Sequence, residues 1–354
     1  MPTSQTGLAD RLAFRADAFD QLDQPDVPPT IEWFWYGYLA RGNVTLLTSQ
    51  WKAGKTTLLT GLLQQFGAGG SFLGRPVVPA KALVVSEEPR GTWRERVRRM
   101  PVAGHMKLMS RPFLRRPTPQ QWNQLVDYAG ERWLAGEMDI FVVDPLARFL
   151  PGSTESDMNA LLEFLNPLQQ LTAAGVAVLI LHHPRRERSE AGSSARGSGA
   201  LLAAVDIIVE LTQYGRLKTD ERRRKLFALS RFPETPRHLV YEWDPKTGAF
   251  KGLGDPLGVR FNENWEQLRA ILSKREKAAT HNELLMDWPA DQERPSPSLL
   301  YEWLNRAFEE KRVRREGSGR RVDPYRYRLP NEDDEYLDRG ELPPIRERPP
   351  QFGR

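Results

Sequence analysis

The sequence predicts an α/β fold: a mainly parallel β-sheet covered by helices on both faces, followed by a small α+β module. Three observations carry this. Runs of Val, Ile and Leu at 44–48, 82–86, 140–143, 176–181 and 205–211 are too continuous for strands buried on one face only. Helix-like stretches separate them, which is the alternation of a doubly covered sheet. The pattern then changes near residue 264, where short helices precede two strand-like pieces.

Length and composition bound the rest. The 354 residues amount to about two domains. With 40% apolar and 27% charged residues, the chain has the make-up of a soluble globular protein. It contains no cysteine, which excludes disulfides, zinc–thiolate sites, iron–sulfur clusters and cysteine nucleophiles and suits a reducing compartment. The longest apolar run, Val176–Leu181, is far short of the roughly 18 residues of a membrane span. No basic segment followed by an apolar core opens the chain, so the expectation is a cytoplasmic protein without a membrane partner. The net charge of +5 is mildly basic and compatible with nucleic acid.

In chain order, 1–30 is polar, rich in Asp, Gln and Pro, and reads as a flexible N-terminal arm. Residues 31–38 form an aromatic knot. The sheet-forming domain is expected over 31–250, with 225–230, 238–243 and a turn at Pro245–Gly248 closing one edge in antiparallel fashion. Residues 251–263 read as a Gly/Pro linker. A second domain is expected at 264–330, with helices at 265–273 and 281–288. A third opens at Ser296-Pro297, an N-cap followed by proline at the first helical position. Its spacing places Leu299, Leu300, Trp303, Leu304, Ala307 and Phe308 on one face. Strands at 311–316 and 321–329 follow, the element order of a winged helix. Residues 331–354, acidic and then rich in Pro and Arg, read as a disordered tail.

The sharpest motif is Ser49-Gln-Trp-Lys52-Ala53-Gly54-Lys55-Thr56-Thr57. It follows an apolar strand and opens a helix carrying Leu58, Leu59, Leu62, Leu63 and Phe66, the context a phosphate-binding loop requires. Backbone N–H groups at the helix N-terminus would cradle the phosphates of ATP. Lys55 would sit on the β/γ-phosphates and the Thr56 hydroxyl on Mg²⁺. Ser49 stands where the pattern has its first glycine.

Three further strands end in useful polar residues: Ser86 in Glu87-Glu88, Val143 in Asp144, and Leu181 in His182-His183. In a parallel sheet these ends share the edge of the phosphate loop. Asp144 suits Mg²⁺ ligation behind water. A carboxylate at Glu87 would activate the attacking water. A histidine at 182 or 183 would contact the γ-phosphate. Taken singly, a strand-end Asp is more often a turn or helix cap, and paired histidines also suit a metal site, although no third ligand with useful spacing accompanies them.

These motifs, with Arg196-Gly-Ser-Gly-Ala-Leu201, resemble the RecA-like ATPase core, and among its members the RepA-type ATPases of plasmids and phages, which include hexameric replicative helicases. The likeness covers roughly 30–250. It implies ring-shaped homo-hexamers with ATP between subunits, Glu87 as catalytic carboxylate, His183 as sensor, and Arg196 as an arginine finger supplied to the neighbouring subunit. On sequence alone Arg196 lies in a Gly/Ser loop with basic residues. There Arg185, Arg186 and Arg188 are the expected contacts to single-stranded DNA.

A basic stretch, Arg90, Arg94, Arg96, Arg98 and Arg99, reads first as a solvated helix and second as a subunit contact. Over 311–328, eight basic residues, among them Arg312, Arg314, Arg315, Arg320 and Arg321, stand against Glu316 and Asp323. That net +6 suits duplex or backbone contact by the ribbon. The preceding helix presents Glu302, Asn305, Arg306 and Glu309, of mixed sign, so protein docking is the competing reading. Tyr325 and Tyr327 either stack on bases or pack the ribbon on its core. The expected function is Mg²⁺-dependent ATP hydrolysis by a DNA motor. The alternatives are a recombination or loading ATPase of the same fold and a nucleotide-gated DNA-binding regulator.

Overall fold

The computed structural model describes residues 31–50, 52–151, 158–183, 199–214, 222–331 and 334. The arm expected at 1–30, the loop holding Arg185, Arg186, Arg188 and Arg196, and nearly all of the expected tail lie outside the described residues. The chain forms two compact units, Met1–Pro256 and Leu257–Arg354. No helix among the described residues is long and apolar enough to cross a membrane.

The first unit begins with strands β1 (Trp33–Trp35) and β2 (Leu39–Ala40), then β3 (Val44–Ser49) and helix α1 (Lys55–Gln65). Two short strands, β4 (Gly70–Phe72) and β5 (Arg75–Val77), join β1 and β2 in a four-stranded antiparallel sheet. There follow β6 (Ala82–Ser86), α2 (Arg90–Arg99), β7 (Met106–Ser110), α3 (Pro119–Leu134), β8 (Ile140–Asp144), α4 (Leu146–Phe149), α5 (Met158–Ala173) and β9 (Ala177–His182). The unit closes with α6 (Gly199–Ala203), β10 (Ile207–Gln213), β11 (Arg223–Ser230), β12 (His238–Trp243) and β13 (Phe250–Gly254).

The main sheet has the order β13-β12-β11-β10-β3-β9-β8-β6-β7. From β7 to β10 every pairing is parallel, and β10 to β13 pair antiparallel. Burial on both faces explains the continuous apolar runs. Along β8, Ile140 and Val142 pack into one core with Leu58 and Leu62 of α1, while Phe141 and Val143 pack into the other with Trp122 of α3 and Phe164 of α5. Helix α3 is started by a capping box, with Thr118 and Gln121 bonding each other's backbone and Pro119 at the first position.

The expected linker at 251–263 is corrected. Phe250–Gly254 is an edge strand, and Pro256–Ser273 is helix α7. Glycine at 252 serves a close approach rather than a flexible joint, because a Cβ there would collide with the Leu73 carbonyl.

The second unit contains α7, β14 (Ala279–Thr280), α8 (His281–Met286), α9 (Pro297–Glu309), β15 (Arg314–Glu316) and β16 (Arg326–Arg328), with sheet order β14-β16-β15. Strand β14 was not foreseen; two residues are too short to show a period. Ser296 caps α9 by accepting from the Leu299 amide. Leu300, Trp303, Leu304 and Ala307 are buried with Tyr327, whereas Phe308 on the expected apolar face is exposed. Asp334, placed by sequence in a tail, is buried.

Candidate active site

Strand β3 lies between β10 and β9 in the parallel part of the sheet, and the loop after it sits among the ends of its neighbours. Pairing levels these ends: Thr48 lies opposite His182, and Ser86 lies opposite both Asp144 and Ser110. One edge therefore collects the loop, Glu87, Asp144 and both histidines, because parallel strands all finish on the same side.

The loop turns on Gly54, whose φ of 103° favours glycine and whose missing Cβ would meet nothing within 4 Å. Gly54 is the N-cap of α1 and offers no side-chain cap, so the first amides of the helix face an open space. Lys52 is exposed with φ 62°, Ala53 is buried, and Thr57 is half-buried on the first turn. Lys55 is buried, and its Nζ donates to Ser49 O at 3.1 Å, to Ser49 Oγ at 2.9 Å, and contacts His183 Nδ1 at 2.7 Å. The serine in the first-glycine position thus has a role of its own, its hydroxyl accepting from the lysine. Burial pushes the Lys55 ammonium down to about 7, against the attraction of Asp144.

Thr56 Oγ1 donates to Asp144 Oδ2 at 3.4 Å. The buried Asp144 carboxyl is pushed up to about 7, chiefly by desolvation and then by Glu88. A hydroxyl and a buried carboxylate side by side are hard oxygen donors, and the carboxylate calls for a cation, so these residues fit Mg²⁺. The open, uncapped amides beside Lys55 fit a nucleotide's phosphates.

The structure separates the two glutamates. Glu88 is clamped by Arg96, which bonds it through both terminal nitrogens, one at 2.7 Å, and Arg96 lies over the Trp93 ring at 5.2 Å. The Glu87 side chain is exposed and accepts no hydrogen bond among the described residues, while its backbone is pinned: its N–H donates to Asp144 O at 3.0 Å. Desolvation raises the Glu87 carboxyl, opposed by the nearby Arg148. The histidines differ likewise. His182 is buried, its Nδ1 3.3 Å from Thr48 Oγ1, while His183 reaches Lys55. No group of three or more His, Cys, Asp or Glu among the described residues is arranged to hold a metal, which leaves the paired-histidine metal reading without support.

One residue escaped the sequence reading. Arg224, on β11, donates through Nε to the Ala53 carbonyl of the phosphate loop at 3.1 Å. The contact spans 171 positions of chain, and no local pattern signals it.

In the second unit most ribbon arginines are engaged. Arg312 pairs with Glu310 at 2.7 Å and lies over Phe261 and Trp265. Arg315 lies over Phe308 and Tyr325 at 4.0 and 4.2 Å. Arg314 is 3.6 Å from Asp334, and Arg328 holds Asp334 at 2.6 and 2.8 Å and Glu316 at 2.8 Å. Arg320 and Arg321 are exposed with no ion pair among the described residues. Glu310 and Asp334, from outside 311–328, offset two of the six net charges, so the ribbon stays basic, and Tyr327 packs in the core.

The sheet order and this loop define a P-loop ATPase with a RecA-like core. The model of the AAA domain family AAA_25 matches residues 8–189, more than half of the chain, and the protein belongs to that family. No curated protein matches the sequence. Among solved structures, the flagellar accessory protein FlaH from Methanocaldococcus jannaschii is similar at 10% identity. The match covers 60% of this chain and 90% of that one, with a TM-score of 0.43.

Proposed function

We propose that this chain is an Mg²⁺-dependent, oligomeric RecA-like motor acting on DNA, of the RepA-type replicative helicase kind. The observation that supports it is the disposition of the two adjacent glutamates: Glu88 is locked by Arg96, leaving Glu87 as an unpaired carboxylate beside Asp144 and the phosphate loop. A protein that only bound nucleotide as a switch would have no use for such a carboxylate.

In this reading Lys55 exchanges His183 and Ser49 for the β- and γ-phosphate oxygens. Thr56 and Asp144 hold Mg²⁺, which when bound neutralises charge developing on those oxygens. Glu87 orients a water and accepts its proton as the water oxygen bonds the γ-phosphorus. The bond to the β,γ-bridging oxygen breaks, leaving ADP and phosphate. His183, released from Lys55, contacts the γ-phosphate and passes its presence to the following loop. There Arg185, Arg186 and Arg188 meet single-stranded DNA and Arg196 reaches the neighbour's nucleotide in a hexameric ring. The second unit acts as a winged helix, with Arg320 and Arg321 its available phosphate contacts.

Strand displacement measured together with particle mass tests this. Unwinding by a hexamer is expected. ATP turnover with no unwinding, by a filament or a monomer, would move the protein to the recombination or loading class. Near-zero turnover unaffected by single-stranded DNA would make it a nucleotide-gated regulator. Mixing Lys55→Ala with Arg196→Ala subunits is expected to restore part of the activity at mixed interfaces, and no restoration in assembled particles would remove Arg196 from that role.

A further inference from the structure

The loop that follows β7 is used by nothing described so far, yet it is tied to Glu87. Between Glu95 and Asp127 the chain carries seven lysines and arginines and no acidic residue; of these, Arg96, Arg98 and Arg99 pair with Glu88 and Glu95. Three others, Arg111, Arg115 and Arg116, fall within the loop Arg111-Pro-Phe-Leu114-Arg115-Arg116, at the same sheet edge as the phosphate loop. Its ends are anchored. Phe113 packs edge-on to Phe149 with ring centroids 6.4 Å apart, and Pro117 is buried. Between the anchors Leu114 is 98% exposed, the most exposed large apolar side chain among the described residues, and Arg115 is exposed with no ion pair among them. Nothing in the packing of the unit requires a leucine standing fully in water beside an arginine, and its burial by a partner would be favourable.

One hydrogen bond connects the loop to the Glu87 backbone, and a second connects it to Arg148, a cation near the Glu87 carboxylate. Arg111, held at φ 51° in the left-handed region, donates through Nε to the Glu87 carbonyl at 2.9 Å. Arg148 of α4 donates through Nη2 to the Leu114 carbonyl at 3.3 Å, and Arg148 and Arg111 are the two cations whose fields act on Glu87. A non-glycine residue in that region persists only where its surroundings enforce it.

We propose that the loop 111–116 is a contact surface for single-stranded nucleic acid, with Arg115 on the phosphate backbone and Leu114 against a base face, and that through Arg111 and Arg148 it couples this contact to the position of Glu87. The choice of occupant rests on charge: a strand of phosphates matches the loop's three arginines, with no acidic residue among 111–116, and an apolar tip beside a cation matches a base next to its phosphate. The inference deepens the motor reading and rests on it for the nature of the partner.

The test is binding of a single-stranded oligothymidylate, with turnover measured in its presence and absence, for the wild type, Leu114→Ala, Arg115→Ala, Arg115→Lys and the Leu114→Ala/Arg115→Ala pair. Both side chains are in solvent, so folding and DNA-free turnover should stay at the wild-type level. The double variant should bind roughly fivefold more weakly and lose most of the stimulation by the oligonucleotide. Arg115→Ala should lower the slope of log K against log salt by about 0.7, and Arg115→Lys should keep it. Wild-type binding and stimulation retained in the double variant would overturn the loop assignment alone. A wild type that neither binds nor responds to the oligonucleotide would overturn the motor reading with it. Unchanged affinity with a changed particle mass would make the loop a subunit contact and overturn the proposal.

Discussion

Lys55 Nζ lies 2.7 Å from His183 Nδ1. When Lys55 is protonated it can only donate, so Nδ1 then carries no proton. The phosphate-binding lysine and the histidine at the end of β9 thus hold each other across the site, and phosphate must compete for the lysine. His183→Ala removes the competitor. ADP, which has no γ-phosphate for the histidine to contact, should bind about tenfold more tightly to this variant, the worth of one charged hydrogen bond of about 1.5 kcal/mol. Calorimetry of ADP binding checks this; unchanged or weaker ADP affinity would show that the pair does not restrain the lysine.

The two glutamates should behave oppositely. Glu87→Gln is expected to keep nucleotide binding and to lose about 10²–10⁴-fold in turnover, the range for removing a positioned general base. Glu88→Gln loosens the clamp with Arg96 and should lower turnover far less. Single-turnover hydrolysis with each variant decides; equal losses would mean that the clamp, rather than the unpaired carboxylate, carries the chemistry.

Arg224 holds a carbonyl of the phosphate loop from a strand at the antiparallel edge. Arg224→Ala should raise KM for ATP about tenfold, since a charged hydrogen bond contributes about 1.5 kcal/mol, with kcat within about twofold. Lysine at this position should recover part of the loss. A fall in kcat at unchanged KM would place Arg224 among the groups acting in the transition state.

Asp334 provides a pH test in the second unit. Hydrogen bonds from Arg328 hold its carboxyl down to about 2, against its ordinary 3.8. A depressed acid stabilises the folded state fully above its unfolded value, and that contribution disappears as pH falls toward the folded value. Asp334→Asn should therefore cost roughly 1–2 kcal/mol at pH 7, and the gap from wild type should close as pH falls from about 4 toward 2. Urea midpoints across that range measure it, and a gap independent of pH would assign the loss to shape rather than charge.

Much of this protein is written in residue order. Strands β3, β6, β8 and β9 were legible because burial on both faces demands unbroken Val, Ile and Leu, and the phosphate loop because its strand, glycine, lysine and helix are contiguous. Strands β7 and β13 were not: Met106–Ser110 is only partly buried, and Phe250–Gly254 is rich in glycine, so neither shows an apolar run.

Adjacent residues at a strand end cannot be told apart from the chain alone, because both reach the edge and only their partners differ. Arg96 selects Glu87 as the exposed carboxylate by occupying Glu88, and Lys55 distinguishes His183 from His182. The same holds for charge: the ribbon's arginines are counted from sequence, but only the fold shows that Arg312, Arg314 and Arg328 are held by Glu310, Glu316 and Asp334 while Arg320 and Arg321 are exposed. Types of chemistry follow from local order because strands and loops are short-range structures. Which group is free to act follows from ion pairs and hydrogen bonds between distant segments, and those exist only once the sheet brings the segments together.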